Sequence, residues 1–94
     1  MQDEIKIRYG GRELGVGDEF EVYFHFSPEK GTYIARSDEG IVIFPEIGSR
    51  MVPEMLLNKW RIVSARVKLM KIVKKKDGKV FAIVRPLEWS GVYK

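Results

Sequence analysis

Cysteine is absent from this 94-residue sequence, and histidine occurs once, at His25. The lack of cysteine excludes disulfides, thiolate metal sites and cysteine nucleophiles. One histidine cannot supply the metal motifs that need two, so the sequence predicts neither a metal nor a cofactor. Asn and Gln are scarce beside many Lys, Glu and Arg, which is the compositional trend of thermophile proteins.

Long apolar runs are missing as well. The longest extend over only a few residues, whereas a membrane-spanning helix needs about 20. The N-terminal stretch MQDEIKIRYGG opens with acids and lacks the basic start and apolar centre of a signal peptide. We therefore expect a cytoplasmic protein with no membrane partner.

The sequence also offers few combinations of residues that could catalyse a reaction. His25 lies within a strand pattern, where a structural role is favoured; a functional His25 would stack on a nucleobase rather than transfer protons. The acidic pairs at 18–19 and 38–39 lie at a strand start and in a hairpin loop, and neighbouring strand residues point to opposite faces. The stretch GGRELGVG lacks the closing Gly-Lys-Ser/Thr of a phosphate-binding loop. The sequence therefore predicts a protein without enzymatic activity.

What the sequence does contain is the two-residue alternation of β-strands. In EFEVYFHF, Phe20, Val22, Phe24 and Phe26 fall on one face, and Gly, Pro and Asx-Gly signals separate similar runs. Beyond Leu69 the apolar residues change phase, which is the mark of a β-bulge or of a strand crossing between two sides of a barrel. The pattern predicts an all-β fold, a small five-stranded barrel of OB or SH3-like type.

The chain is expected to form a single β-barrel domain over residues 1–94. Residues 1–15 are poor in apolar side chains and predict a peripheral N-terminal hairpin, turned by Gly10-Gly11. Residues 16–88 would form the barrel core, and residues 89–94 a C-terminal tail.

Prolines mark three further boundaries. Pro45 and Pro86 are expected to end their strands, because proline cannot donate a ladder hydrogen bond. The stretch PEMLLNK interrupts the alternation and begins with Pro53, which suits the first position of a helix. It predicts a short helical insertion.

Charge is distributed unevenly along the chain. Residues 1–58 carry six Lys and Arg against eleven Asp and Glu, a net of −5, whereas residues 59–94 carry eleven against two, a net of +9. Such asymmetry indicates an anionic partner such as nucleic acid.

The basic residues follow two strands and the turn between them, in VKLMKIVKKKDGKVFAIVRP. Outward-facing rings on neighbouring strands would lie beside them, and flat rings next to basic side chains suit unpaired nucleobases. The candidate nucleic-acid-binding residues are Tyr23, His25, Tyr33, Arg66, Lys68, Lys71, Lys74, Lys75, Lys76, Lys79 and Arg85. A second interpretation remains open, in which these lysines bind nothing and only keep the protein soluble, because hairpin tips and sheet edges commonly carry lysine for that purpose.

The middle of the chain resembles a known family. VGDEFEV, followed by EKGTYIARSDEGIVIFPEIG, is similar to the TRAM domain, a small OB-like barrel attached to RNA-modifying enzymes and found alone in archaeal proteins. The match covers about residues 15–48, at Gly17, Asp18, Gly31, Ile34, Ala35, Arg36, Gly40, Val42, Ile43, Phe44 and Pro45. The resemblance implies RNA binding and makes Arg36 a contact residue.

The leading hypothesis is a non-catalytic RNA-binding module of low sequence specificity, in which basic side chains neutralise phosphates and aromatic rings stack on bases. Two alternatives remain open. One is a small architectural protein that binds duplex DNA. The other is a protein-protein adaptor or homo-oligomer subunit whose basic hairpin docks on an acidic protein surface.

Overall fold

The computed structural model describes residues 5–46 and 62–93, which form seven strands and the turns between them. The strands are β1 (Ile7–Tyr9), β2 (Arg12–Leu14), β3 (Glu19–Ser27), β4 (Thr32–Arg36), β5 (Val42–Pro45), β6 (Ile62–Lys74) and β7 (Val80–Tyr93). These residues contain no helix, and so none that could span a membrane. The helical insertion predicted for PEMLLNK lies outside them.

Strands β3 to β7 close into a barrel in the order β3-β4-β5-β7-β6, with β3 paired to both β4 and β6. Neighbouring strands are antiparallel except for β5 and β7, which run parallel. This is the five-stranded Greek-key arrangement of an OB-type barrel, so the all-β barrel prediction is confirmed. Strands β1 and β2 form a separate two-stranded sheet.

The barrel core follows the alternation of β3 and β6. Phe20, Val22 and Phe24 are buried on β3. The neighbouring strand β6 contributes four more buried side chains, Val63, Ala65, Val67 and Leu69. Burying a Val, Leu or Phe side chain stabilises a fold by about 1.5 to 3 kcal/mol. The inward side chains of these two strands therefore hold the barrel closed.

A β-bulge changes the phase of β6, as the sequence predicts. Leu69 pairs with Val84 and Lys71 pairs with Ile83, so Met70 is the extra residue. Leu69 is buried, Met70 half-buried and Lys71 exposed. The bulge therefore turns the second half of β6 so that Lys71 faces outwards, and bulges commonly re-aim side chains in this way.

The prediction that Tyr33 projects outwards is wrong. Tyr33 is 2% exposed and lies in the core, where its ring meets Phe26 edge-on at 5.6 Å between centroids. Ala35 shares the inward face of β4, because side chains two apart on a strand point the same way. Burial raises the pKa of the Tyr33 hydroxyl, as expected for a group whose charged form is disfavoured away from water.

The N-terminal hairpin is not peripheral as predicted. Ile7 and Leu14 are fully buried and belong to the same hydrophobic cluster as the barrel core. Tyr9 packs on Phe20 at 5.6 Å between ring centroids, and its Oη accepts the backbone N–H of Tyr23 at 2.9 Å. Because β4 pairs with β3 only over residues 25–27, the hairpin covers the part of β3 that β4 does not reach.

The last strand continues past Pro86, against the prediction that it ends there and that residues 89–94 form a tail. Strand β7 runs to Tyr93 and pairs with β6 as far as Ile62. Pro86 is tolerated because it lies opposite Val67 at a register shift, where a missing N–H costs the ladder little. Pro45, in contrast, ends β5 as predicted.

Candidate nucleic-acid interface

A tight turn joins β6 to β7. The backbone N–H of Gly78 donates to the Lys75 carbonyl at 3.0 Å, and the Lys75 N–H donates to the Lys79 carbonyl at 2.7 Å. Gly78 has a φ of 88°, a left-handed conformation that glycine adopts without strain. The Asp77 carboxylate accepts the Lys79 N–H at 3.0 Å. The acid of this turn therefore bonds to the backbone of the turn.

Five lysines surround this turn, and we call them the basic hairpin: Lys71, Lys74, Lys75, Lys76 and Lys79. All five are exposed. The ion pairs of residues 5–46 and 62–93 join Lys6 to Glu13, Arg66 to Glu19 and Arg85 to Glu46, so none of the five takes part in one. With Asp77 as the nearby acid, the basic hairpin carries a net charge of +4, five lysines against one aspartate.

Two phenylalanines lie beside the basic hairpin. Phe44 on β5 and Phe81 on β7 meet edge-on with ring centroids 5.8 Å apart, and Lys75 Nζ lies 5.4 Å from the centre of the Phe81 ring. Both rings are half-buried. We call Phe44 and Phe81 the aromatic pair. Its position means that aromatic rings share one end of the barrel with lysines that form no ion pair among residues 5–46 and 62–93.

Strand register extends this surface across four strands. Arg36 is opposite Val42, Val42 is opposite Phe81, and Phe81 is opposite Val73. Directly opposed residues point to the same face of a sheet, so Arg36 lies in the row that holds Phe81, two strands away and at about 10 Å. Arg36 is exposed. The structure thus brings Arg36 and the basic hairpin to the two sides of the aromatic pair.

The neighbouring row of opposed residues on the same face also combines a charged side chain with apolar ones. Phe44 is opposite Ile83, and Ile83 is opposite Lys71. A cavity of about 420 Å³ opens beside this row, lined by Met70, Ile83, Lys71 and Glu46.

Other predicted site residues lie on the outward face of the paired strands β3 and β6, which we call the outer wall; its exposed residues include Glu19, Glu21, Tyr23, Arg66 and Lys68. There Arg66 faces Glu21 on one side and Glu88 on the other, and its Nη2 lies 2.8 Å from Oε1 of Glu19. Arg85 lies nearer the cavity, where its Nε and Nη2 donate to the two oxygens of the cavity-lining Glu46 at 3.1 and 3.3 Å. Glu19 and Glu46 therefore neutralise Arg66 and Arg85. Net charge counted along the sequence does not show this, because each pair joins residues far apart in the chain.

Tyr23, His25 and Lys68 also lie away from the turn. Tyr23 is opposite Ser64, and the ten residues from Ser64 to Lys74 span about 30 Å of strand. His25 is half-buried opposite Ile34, and Lys68 is opposite Glu19. The structure therefore does not bring Tyr23 and His25 to the basic hairpin, and buried Tyr33 is not available to a ligand.

The aromatic pair was not among the site residues predicted from the sequence. Alternation in VIFP and VFAIV puts Ile43, Ala82 and Val84 in the core and so assigns Phe44 and Phe81 to the opposite face. This signal is present in the sequence. It was outweighed by the more obvious aromatic alternation of β3.

The acidic pairs of the N-terminal half have structural partners. Asp38 Oδ1 and Oδ2 accept the backbone N–H groups of Gly10 and Gly11 at 3.0 and 2.8 Å. Glu39 Oε1 accepts the Arg8 N–H at 2.9 Å, and this hydrogen bond lowers the pKa of the Glu39 carboxyl. Asp18 Oδ2 likewise accepts the Gly15 N–H at 2.8 Å. Asp38 and Glu39 therefore fasten the N-terminal hairpin to the barrel, and Asp18 closes the turn between β2 and β3.

Comparison with known proteins identifies no relative: no family model, no curated protein and no solved structure matches the chain. Within the described ranges, no group of three or more His, Asp or Glu side chains is placed to hold a metal ion.

Proposed function

We propose that this protein is a non-catalytic RNA-binding module that holds single-stranded segments against the basic hairpin and the aromatic pair. The observation that supports it is the position of Lys75 over Phe81, 5.4 Å from the ring centre, among lysines that take part in no ion pair within the described residues. Cations attract phosphates without regard to sequence. An aromatic face accepts any base, so sequence specificity is low.

The arrangement of the barrel supports the same function. In OB-type barrels the loop between the fourth and fifth barrel strands borders the oligonucleotide-binding face, together with the second and third strands. Here that loop is the tip of the basic hairpin, and the second and third barrel strands are β4 and β5, which carry Arg36 and Phe44. RNA contact at Arg36 is also what the TRAM resemblance implies, and it remains a prediction.

Single strands are favoured over duplexes because the aromatic pair offers stacking surface that paired bases cannot reach. The outer wall, where acids alternate with bases, would repel a second line of phosphates. A duplex needs basic side chains on both sides of a groove, whereas one strand needs a single track.

The function is tested by fluorescence anisotropy with a labelled oligouridine of about nine nucleotides, a length within the site sizes of OB-type domains. Neutralisation of about five phosphates by the basic hairpin gives a slope of log K against log salt of roughly −3.5. Competition with duplex DNA accompanies the titration. A flat salt dependence, or duplex DNA that competes as well as the single strand, would contradict the proposal.

A matched pair of triple variants locates the site. The variant K74Q/K75Q/K76Q removes three charges at the tip, and K6Q/R8Q/R12Q removes three from the N-terminal hairpin, so both lower the net charge equally. We expect the first to weaken RNA binding by at least about tenfold and the second to weaken it little. Equal losses would indicate a general charge effect and no defined interface.

A further inference from the structure

The outer wall carries opposite charges on its two strands. Its exposed charged side chains on β3, Glu19 and Glu21, are acidic, and those on β6, Arg66 and Lys68, are basic. The strand register sets Glu19 opposite Lys68 and Glu21 opposite Arg66. The wall is therefore an acidic column beside a basic column. Two acids against two bases give it no net charge, in a chain whose net charge is +4.

Two adjacent columns of opposite charge form a surface that complements itself. A two-fold axis parallel to the strands and midway between β3 and β6 would set β3 of one copy over β6 of another, row by row. Glu19 would then face Lys68 of the second copy, and Glu21 would face its Arg66. Each contact would occur twice, as in an isologous dimer. The strands of the two copies would be aligned, which is a common way for sheets to pack face to face.

Other placements of the axis bring like charges together. An axis along β6 sets Arg66 against the same residue of the second copy. An axis between β6 and β7 sets Lys68 against Arg85, because these residues are opposite each other in the register. An axis across the strands sets Glu19 against Glu21. Since juxtaposed like charges disfavour association, the charge pattern selects the axis between β3 and β6.

Apolar surface continues the same arrangement. Tyr23 is exposed and follows Glu21 on the outward face of β3. Its register partner on β6 is Ser64, a short side chain that lies below the surface. Tyr23 of one copy would therefore lie over Ser64 of the other, so that a large side chain meets a small one. Ile62, the next outward residue of β6, is also exposed, and aromatic residues are enriched in protein interfaces.

We propose that the outer wall binds a second copy of this chain about the two-fold axis between β3 and β6. The inference goes beyond the proposed function and does not depend on it, since Lys68 and Lys74 are six residues, or about 20 Å, apart along β6. The contact uses few side chains, and interfaces that bury less than about 1,200 Å² are weak and transient. We therefore expect a dimer that dissociates on dilution.

Sedimentation equilibrium of the wild-type protein, free of nucleic acid, tests whether the dimer exists. We expect monomer at about 10 μM and a substantial fraction of dimer at about 1 mM, the range in which weak complexes form. A protein that stays monomeric throughout, or that forms species larger than a dimer, overturns the inference.

Two double variants test the position of the axis. E19K/E21K makes both columns basic and R66E/K68E makes both acidic, so neither variant should dimerise alone. In a mixture, every row would again bring opposite charges together, and the association constant should exceed that of either variant alone by at least about tenfold. Sedimentation velocity with one variant labelled measures it. Self-association of either variant, or a mixture of folded variants that stays monomeric, overturns the inference.

The matched control is E13K/E29K, which changes the net charge by as much as E19K/E21K does but leaves the outer wall intact. Both of its positions are exposed. It should dimerise as the wild type does. Loss of its dimer equal to that of E19K/E21K would indicate a general charge effect and overturn the inference.

A further measurement needs only the wild-type protein, so it does not depend on the folding of any variant. Backbone amide resonances of residues 19–23 and 64–68 should shift as the protein concentration rises, whereas those of residues 75–79, at the tip of the basic hairpin, should stay constant. Shifts confined to the tip, or spread evenly over the barrel, would place the contact elsewhere and overturn the inference.

Discussion

Lys75 Nζ lies 5.4 Å from the centre of the Phe81 ring, at the end of the molecule where the lysines have no carboxylate partner within the described residues. A cation at this distance from a ring interacts with its π face. The same ring meets Phe44 edge-on. This arrangement places an aromatic ring next to a cation, the two groups that the proposed binding of single-stranded RNA requires.

Replacing Phe81 by leucine keeps an apolar side chain and removes the flat face. We expect F81L to weaken binding of a single-stranded RNA by about 1 to 3 kcal/mol, the contribution of one stacked base. The control is Y23L, because Tyr23 is an exposed aromatic on the outer wall, 46% accessible. Anisotropy titrations of both variants check the prediction, and a larger loss in Y23L would move the stacking site to the outer wall.

Substituting a lysine at the tip should change the salt dependence of RNA binding, whereas substituting the outer-wall Arg66 should not. If the tip lysines contact phosphate as proposed, K74Q removes one such contact, so the slope of log K against log salt should become shallower by about 0.7. R66Q removes a charge that Glu19 already neutralises at 2.8 Å, so its slope should match that of the wild type. Titrations at several salt concentrations compare the two variants, and equal changes would show that Arg66 also contacts phosphate.

Asp38 should matter for stability and not for binding. Its carboxylate accepts two backbone N–H groups of the N-terminal hairpin, and D38A leaves both without this partner. We expect the free energy of unfolding to fall by about 1.5 to 3 kcal/mol, the range of hydrogen bonds to charged groups. Urea denaturation measures the change. D38N, which keeps one oxygen acceptor, should lose less, and a loss equal to that of D38A would mean that one acceptor is not enough.

Tyr9 makes the fold sensitive to alkaline pH. Its pKa is raised above 10.0, chiefly because burial disfavours the phenolate and despite the hydrogen bond from the Tyr23 N–H, which lowers it. A raised pKa in the folded state means that the stabilising contribution of Tyr9 is complete below pH 10.0, the value for the unfolded chain. It is lost as the pH rises through the folded pKa.

The variant Y9F tests this relationship. It should be less stable than the wild type at neutral pH by about 1 kcal/mol, because the Tyr23 N–H loses its acceptor. Above pH 10 the wild type should lose stability more steeply than Y9F. Urea denaturation at neutral pH and above pH 10 gives both values, and parallel pH profiles would contradict the assignment to Tyr9.

The barrel was predictable because β3 alternates clearly between buried and exposed residues and the bulge of β6 leaves a change of phase at Leu69. Two elements were not. The N-terminal hairpin is short, and its two inward residues, Ile7 and Leu14, are too few for a pattern, although both are fully buried. Strand β7 passes Pro86 because a register shift lies opposite it, and such a shift depends on pairing between distant residues.

The candidate site was predictable only in part. Consecutive lysines beside an Asp-Gly turn identify the basic hairpin from local sequence alone. Whether a basic side chain is neutralised depends on which strand lies next to it, and Glu19 and Arg66 are 47 positions apart. Tyr33 was expected to face outwards and is buried, because a single step along a strand reverses the face on which a side chain lies.

We expect the β6–β7 hairpin to form before the barrel closes. Strands β6 and β7 are joined by a tight turn, and hairpins with such turns form within about 1 to 10 μs. Closure by β3 pairs Phe24 with Val63 and Glu19 with Lys68, contacts distant in sequence whose loop entropy slows folding. G78A, at a φ of 88°, should therefore slow refolding in stopped-flow measurements more than it speeds unfolding. The β6–β7 hairpin with its lysines would then form before the barrel. A polyanion that binds this hairpin during folding should therefore increase the folding rate of the protein.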